Sequence, residues 1–238
     1  MNAAPIHLAG ERLMLDPAGA LFWPAARLLA VADLHLDKGS AGAVGSRLPP
    51  RWDSRATLDR LSLLLRRWSP AIVLVLGDSL YDSAGGVRLP GVEAARLRAI
   101  TAAHRFVWIT GNPDSAPPDG PGEESAATFA SGKLVFRHQP APGASGEICG
   151  LLHPRATIAS RAGPERRPCF VVDARRVLLP AFGADTGGLD LTDPAIASVF
   201  PRGGRVFLLG EQRLSSFPLA AFSLAASRRP GGGGPARM

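Results

Sequence analysis

Three apolar runs in the first half of the chain each end in polar residues, and this repeated pattern constrains the fold more than any other feature. The runs are Leu28 to Ala32, Ile72 to Leu76 and Phe106 to Ile109, and they lead into Asp33, into Gly77 and Asp78, and into Gly111 and Asn112, respectively. Two segments with apolar residues at helical spacing, Asp53 to Trp68 and Val92 to Ala103, lie between them. This alternation predicts a largely parallel sheet covered by helices, with functional residues in the loops beyond the carboxyl ends of the strands.

The second half of the chain has shorter strand-like runs and few helical stretches, which predicts mainly antiparallel pairing. The runs are Leu134 to Arg137, Ile148, Phe170 to Val172, Val177 to Leu179 and Val206 to Leu209. The segment from Asp173 to Arg176 lies between two of these runs and is typical of a hairpin turn. We expect one domain over residues 1–227 and a disordered tail rich in Gly, Pro and Arg over residues 228–238.

The composition limits the classes of partner and the cellular compartment. A formal net charge of +7 favours a partner with phosphate groups. A GC-rich genome would produce the same excess of arginine over lysine, so the charge alone does not establish nucleic-acid binding. Two cysteines, Cys149 and Cys169, are too few for a disulfide framework. The sequence shows no signal-peptide core and no membrane-spanning segment, so we expect a cytoplasmic protein without a membrane role.

Five separate segments contain residues that commonly bind metal ions, and most follow a predicted strand. They are Asp33-Leu34-His35, Gly77-Asp78, Gly111-Asn112-Pro113-Asp114, His138 and Gly150-Leu151-Leu152-His153. Two divalent cations a few Å apart need several oxygen and nitrogen donors and a bridging carboxylate to promote attack of water on phosphorus. A single aspartate after a strand is more often a turn residue, and an isolated histidine pair is more often structural. The ordered array of five segments favours a metal site.

These segments resemble the ordered motifs of the calcineurin-like metallophosphoesterases, which are Asp-X-His, Gly-Asp, Gly-Asn-His-Asp, His and Gly-His-X-His. The chain is similar in particular to the ligase-associated DNA damage response endonucleases, the PdeM-type family. The resemblance covers most of the chain to about Leu189, and it implies a four-layer α/β/β/α sandwich of two mixed sheets flanked by helices. The segments that support it are His7 to Glu11, Phe22 to Ala26, Ala32 to Lys38, Leu179 to Ala184 and Thr186 to Gly188.

The resemblance also implies a role for each matching residue. It assigns Asp33, His35 and His153 to a first metal ion, and Asn112 and His138 to a second. Asp78 would bridge the two ions. Manganese or another first-row divalent ion is the cofactor that such families use, although the sequence does not select among these metals.

Three residues depart from the family pattern. Pro113 replaces the histidine that assists the transition state, Leu151 replaces a histidine ligand of the second metal, and Tyr81 replaces a further histidine. We therefore predict one tightly held ion and a second that is weak or absent. Loss of a general acid lowers a rate by about two to four orders of magnitude, so slow hydrolysis remains feasible.

Residues near the predicted metal site give weaker functional predictions. Asp114 is a weak candidate for a catalytic carboxylate, because Pro113 replaces the histidine that it would orient. Lys38, Arg47 and Tyr81 are candidates for contact with a substrate phosphate.

The resemblance implies a phosphodiester hydrolase that acts on DNA. A catalytically inactive scaffold is the alternative, and it would bind DNA or repair proteins such as an ATP-dependent ligase and a helicase. A small phosphoester substrate also stays open, because the sequence has no identifiable aromatic platform for stacking bases.

Overall fold

Two β-sheets pack face to face in the computed structural model of this chain. The structure describes residues 2–36, 51–77, 91–110, 124–161, 163–184 and 186–222, without the side chains of residues 51–53. The predicted boundary of the domain and the predicted tail lie outside the described residues.

The first sheet contains seven strands whose spatial order follows their order in the chain. The first four are antiparallel neighbours, and the last four are parallel neighbours. The strands are β1 (Ala4–Leu8), β2 (Glu11–Leu15), β3 (Leu21–Trp23), β4 (Leu28–Ala32), β5 (Ile72–Leu76), β6 (Arg105–Ile109) and β7 (Glu124–Ala126).

Helices follow the parallel strands, as the sequence predicts. Helix α1 (Arg51–Trp68) connects β4 to β5, and helix α2 (Gly91–Ala103) precedes β6. Strands β4, β5 and β6 are buried along nearly their whole length, which explains their uninterrupted apolar sequences. The predicted leucine stripe of α1 is also confirmed, since its members are buried against this sheet: Leu58, Leu61, Leu64 and Leu65.

The second sheet contains eight strands and is more mixed than the sequence predicts. Its spatial order is β15-β14-β12-β13-β10-β9-β8, and β11 pairs with β12. The strands are β8 (Thr128–Ser131), β9 (Leu134–Arg137), β10 (Glu147–Cys149), β11 (Arg155–Ser160), β12 (Gly163–Val172), β13 (Arg176–Leu178), β14 (Arg205–Leu209) and β15 (Leu214–Pro218).

Two expectations for this sheet need correction, and one is confirmed. Strand β10 is parallel to both β9 and β13, because long connections let these short strands run in one direction. The run at Phe170 to Val172 is the end of a ten-residue strand that forms a hairpin with β11. The turn predicted at Asp173 to Arg176 is present, since Val172 pairs with Val177 across it.

Three buried clusters give the sandwich its layers. One cluster lies between the two sheets, and a second lies between the first sheet and helices α1 and α2. The third covers the outer face of the second sheet, where helix α3 (Pro194–Val199) contributes Ile196. The fold is therefore the four-layer α/β sandwich that the sequence resemblance implies.

The two cysteines are free, as their number predicts. Burial raises the pKa of the Cys149 thiol and of the Cys169 thiol, so both are protonated in the folded chain. Among the helices that the structure describes, none is both long and apolar enough to cross a membrane.

Candidate metal centre

The candidate site lies where loops from the two sheets meet. Asp33 directly follows β4 of the first sheet, while His138 and His153 follow β9 and β10 of the second sheet. The carboxyl ends of these strands lie at one edge of the sandwich, because the residues that follow them are in contact. The backbone N–H of Asp33 donates to Leu76 O at 3.0 Å, which links its loop to β5.

Asp33 is the centre of this group. Its side chain is fully buried, and its two carboxylate oxygens contact different histidines. Asp33 Oδ1 lies 2.8 Å from His138 Nε2, and Asp33 Oδ2 lies 3.0 Å from His153 Nε2. The backbone N–H of Leu151 also donates to Asp33 Oδ2 at 3.3 Å. One carboxylate therefore connects three residues that are more than 100 positions away in the sequence.

His35 completes a group of donor atoms that can hold a metal ion. One donor atom each from Asp33, His35 and His153 lie within 4.8 Å of one another. The rings of His35 and His153 meet edge to face, with 5.2 Å between their centroids. Imidazole and carboxylate donors together suit first-row divalent cations.

The observed spacing fits such a cation. Two donors that each lie about 2.1 Å from one ion, at a right angle, are about 3 Å apart. The contact between Asp33 Oδ2 and His153 Nε2, at 3.0 Å, has this length. The residues present therefore fit a divalent metal.

The Asp33 carboxyl is ionised despite its burial. Burial by itself would raise its pKa, because a desolvated carboxylate is disfavoured. Hydrogen bonds and electrostatic attraction between this carboxylate and His138 and His153 act in the opposite direction and together outweigh burial. The pKa of Asp33 therefore lies well below its usual value. The side chain is an anion, as metal binding requires.

The loops of the site use backbone conformations that are rare outside glycine. Asp33, His35, Leu151 and His153 all have positive φ angles, between 43° and 63°. Such conformations cost energy and persist where surrounding contacts enforce them, which is typical of functional sites.

The backbone of Gly77 lies directly against the side chains of Asp33 and His138. Its φ is +90°, and a Cβ atom there would lie 2.2 Å from His138 Nε2 and 2.5 Å from Asp33 Oδ1. Only glycine fits at this position. The sequence signal for this position is the Gly-Asp motif at Gly77-Asp78, whose glycine meets this steric requirement.

The segment around Phe182 holds the Asp33 loop from the other side. The N–H groups of Phe182 and Gly183 donate to Ala32 O at 2.6 Å and to Asp33 O at 2.9 Å. The N–H of Ala184 donates to Thr57 Oγ1 at 2.9 Å, which ties this segment to helix α1.

Four of the predicted site residues are brought together: Asp33, His35, His138 and His153. The other predicted residues lie outside the described part of the chain, namely Lys38, Arg47, Asp78, Tyr81, Asn112, Pro113 and Asp114. Leu151 is described, and its backbone rather than its side chain contacts Asp33.

Comparison with known proteins gives one informative similarity. No protein-family model and no curated protein matches the sequence. Among solved structures, the nuclease MPE of Pseudomonas putida aligns with a TM-score of 0.68 at 31% identity, over 90% of this chain and 100% of that chain. Yfce, a phosphoesterase from E. coli, aligns with a TM-score of 0.39 at 14% identity, over 81% of this chain and 98% of that chain. That second similarity is too distant to support an inference.

The similarity to the nuclease extends over the entire length of that chain and over 90% of this one. It agrees with the ordered motifs that the sequence shares with one superfamily. The chain therefore belongs to the calcineurin-like metallophosphoesterase superfamily, together with the nuclease MPE of P. putida.

Proposed function

We propose that this chain is a metal-dependent phosphodiesterase that cleaves DNA. The observation that carries the proposal is the Asp33 carboxylate, buried between His138 and His153 with His35 beside them. The full-length similarity to a nuclease, at 31% identity, supports a nucleic acid as the substrate.

The residues of the chain have distinct roles in this proposal. A divalent ion held here would activate water and offset negative charge on the phosphoryl group. Asp33 supplies the anionic ligand, and its depressed pKa keeps it ionised. His35 and His153 supply nitrogen donors from two different sheets, so the site forms only in the folded chain.

We propose that the two metal sites are unequal. The first would have Asp33, His35, Asp78 and His153 as ligands. The second would have Asp78, Asn112 and His138, because Leu151 supplies no donor atom. Gly77 lies against His138 and Asp33, and Asp78 is the next residue in the sequence, which supports its assignment as the bridge. Manganese is the proposed metal.

The remaining sequence predictions stay proposals of the same kind. Lys38, Arg47 and Tyr81 would contact the substrate phosphate, and Asp114 is a weak candidate for a catalytic carboxylate. Because Pro113 has no titratable nitrogen, the leaving group would be protonated by solvent rather than by a histidine at this position. We expect slow turnover as a result.

Leu151 favours a second candidate function. The family pattern has a metal-binding histidine at this position, but leucine has no donor atom for a metal. Leu151 instead donates its backbone N–H to Asp33. A chain that retains the fold but not efficient catalysis would act as a scaffold for DNA or for repair proteins, such as an ATP-dependent ligase and a helicase.

Hydrolysis of a chromogenic phosphodiester with added manganese separates these functions. We expect activity in the native chain, loss of activity in Asp78→Asn, and an increase in the double variant Pro113→His/Leu151→His. His7→Gln is a matched control, since His7 lies on edge strand β1 and is exposed.

Each outcome of this assay has a defined meaning. Activity that appears only in the double variant would support the scaffold. Activity that survives in Asp78→Asn would contradict the proposed metal site. Metal content, measured by mass spectrometry of the same variants, shows whether a lost activity reflects a lost ion.

A further inference from the structure

The β11–β12 hairpin is a ribbon that begins at the metal centre. Strand β11 starts two residues after His153, and Arg155 to Ser160 pair with Gly163 to Pro168. From His153 to Arg161 the chain can extend about 25 Å at its usual rise per residue. That is the length of about seven base pairs of DNA.

The ribbon is strongly basic for its size. Residues 155–167 contain four arginines and one glutamate, a net charge of +3 in 13 residues, whereas the whole chain of 238 residues carries +7. The side chains of Arg161 and Arg166 are exposed, and Arg167 pairs with Glu165. Thus Arg167 pairs with the carboxylate of the ribbon, and Arg161 is exposed to solvent. Arg166 is exposed as well, and it interacts electrostatically with Asp190, which lies outside the ribbon.

Two arginines fix the ribbon to the metal centre. Arg155 Nη1 donates to Thr186 O at 2.8 Å, and Arg166 Nη2 donates to Gly188 O at 2.9 Å. The N–H of Leu189 in turn donates to Leu152 O at 3.2 Å, next to His153. The ribbon therefore has a defined position relative to the metal ligands, as a substrate guide requires.

The shape and surface of the ribbon suit a nucleic acid. The major groove of B-DNA admits a two-stranded β-ribbon, and exposed arginines bind the phosphates that border it. One side of the ribbon also lines a cleft of about 840 Å³, to which Arg166 contributes a cation and Asp190 a carboxylate that accepts from Thr157 Oγ1 at 2.5 Å.

We propose that the β11–β12 ribbon binds the phosphate backbone of duplex DNA beside the metal centre, with Arg161 and Arg166 as its main contacts. This inference rests on the proposed function, because it assumes that the site acts on DNA. It adds the surface that holds the substrate, which the sequence motifs do not assign.

Binding of a short labelled DNA duplex, followed by fluorescence anisotropy at several salt concentrations, tests this inference. The full chain carries Asp33→Asn so that cleavage does not consume the DNA. We expect Arg161→Gln/Arg166→Gln to raise Kd about tenfold and to lower the slope of log K against log salt by about two, since each lost phosphate contact removes about 0.9.

A matched pair of substitutions controls for overall charge. Arg55→Gln/Arg98→Gln removes two exposed arginines from helices α1 and α2, which cover the other sheet. We expect this pair to leave Kd within about twofold, because charges on the far side are screened. Equal weakening by both pairs, or weakening by neither, would overturn the inference.

A charge-conserving variant separates binding from folding. We expect Arg161→Lys/Arg166→Lys to keep most of the affinity, because lysine also binds phosphate as a point charge. A loss as large as that of the glutamine pair would overturn the inference. Thermal unfolding of each variant verifies that the sandwich is intact.

Hydrolysis of a small chromogenic phosphodiester by the chain with Asp33 restored tests the proposed function separately. If hydrolysis occurs and the ribbon variants bind DNA normally, the inference alone fails. If hydrolysis is absent and DNA binding still depends on the ribbon, the proposed function fails and the ribbon is the binding surface of a scaffold.

Discussion

Two loops of the metal centre share a backbone pattern but differ in their side chains. In the loop after β4, Asp33 and His35 have φ angles of 52° and 43°, and both carry donor atoms. In the loop after β10, Leu151 and His153 have φ angles of 63° and 44°, but leucine has no donor. The second loop thus has the backbone of a two-donor loop and supplies one donor.

The difference shows that the shape of the site does not depend on every metal ligand. A left-handed conformation costs roughly 1–2 kcal/mol for a residue other than glycine. Leu151 adopts this unfavourable conformation although its side chain cannot bind a metal. The N–H of Leu151 donates to Asp33 Oδ2, so the backbone itself contributes to the site. The second loop therefore positions Asp33 even without its missing ligand.

Asp33→Asn should have the largest effect, because it removes the group on which both loops converge. The amide preserves the size of the side chain but cannot bind metal as an anion or pair with His138 and His153. We expect metal affinity to fall at least about 100-fold, since changes even to residues behind the ligands cost about 10–100-fold. Titration calorimetry with manganese measures this loss. Asp59→Asn, at an exposed position on α1, should bind metal normally; equal affinities in the two variants would contradict the site.

Gly77→Ala should be the next most damaging change, because it introduces a Cβ atom against Asp33 and His138. That atom would lie 2.2 Å from His138 Nε2, and the φ of +90° also disfavours alanine. Gly10 provides a control with a φ of +89° and no atom within 4 Å of its Cβ position.

The two glycine variants separate backbone strain from crowding. We expect Gly10→Ala to lower the free energy of unfolding by about 1 kcal/mol and Gly77→Ala by about 3 kcal/mol. Denaturation in urea gives both values. Equal losses would mean that His138 moves aside without cost, and that the close approach of Gly77 has no consequence for the site.

Leu151→His should restore a donor to the second loop. Histidine tolerates a left-handed φ better than most residues, so the loop need not change. We expect the affinity for a second ion to rise about tenfold or more, with two equivalents bound in calorimetric titration. Leu152→His places the same ring at the neighbouring position, which packs against the outer cluster of the second sheet. If both variants bound the second ion alike, the position of Leu151 would not be a ligand position.

The sequence predicted some parts of this comparison and not others, for physical reasons. Strands β4 and β5 were predicted to the residue, because strands buried on both faces have continuous apolar sequences. The β11–β12 hairpin was missed, since its sequence from Arg155 to Pro168 has few apolar residues and two prolines. The pairing of β11 with β12 depends on backbone hydrogen bonds, and the pattern of side chains in this segment does not predict them.

The metal centre shows the same division. The donor residues were predicted from the order of the five segments, and the structure brings Asp33, His35, His138 and His153 together. The left-handed backbone at Leu151 was not predictable, because the contact that enforces it joins residues 118 positions apart. Whether Asp78 and Asn112 join this group stays a prediction.

The smallest effect is expected from Leu151→Asn, which tests whether the second loop is strained. Asparagine adopts a left-handed φ at lower cost than leucine, and the N–H that donates to Asp33 is unchanged. We expect an increase of about 0.5–1 kcal/mol in the free energy of unfolding, or about 1–4 °C in Tm for a chain of this size. Leu151→Ala keeps the strain and should not stabilise the fold. A lower Tm for asparagine than for alanine would show that the leucine side chain, rather than the backbone, secures this loop. Different interactions would then stabilise the two loops, although their φ angles are similar.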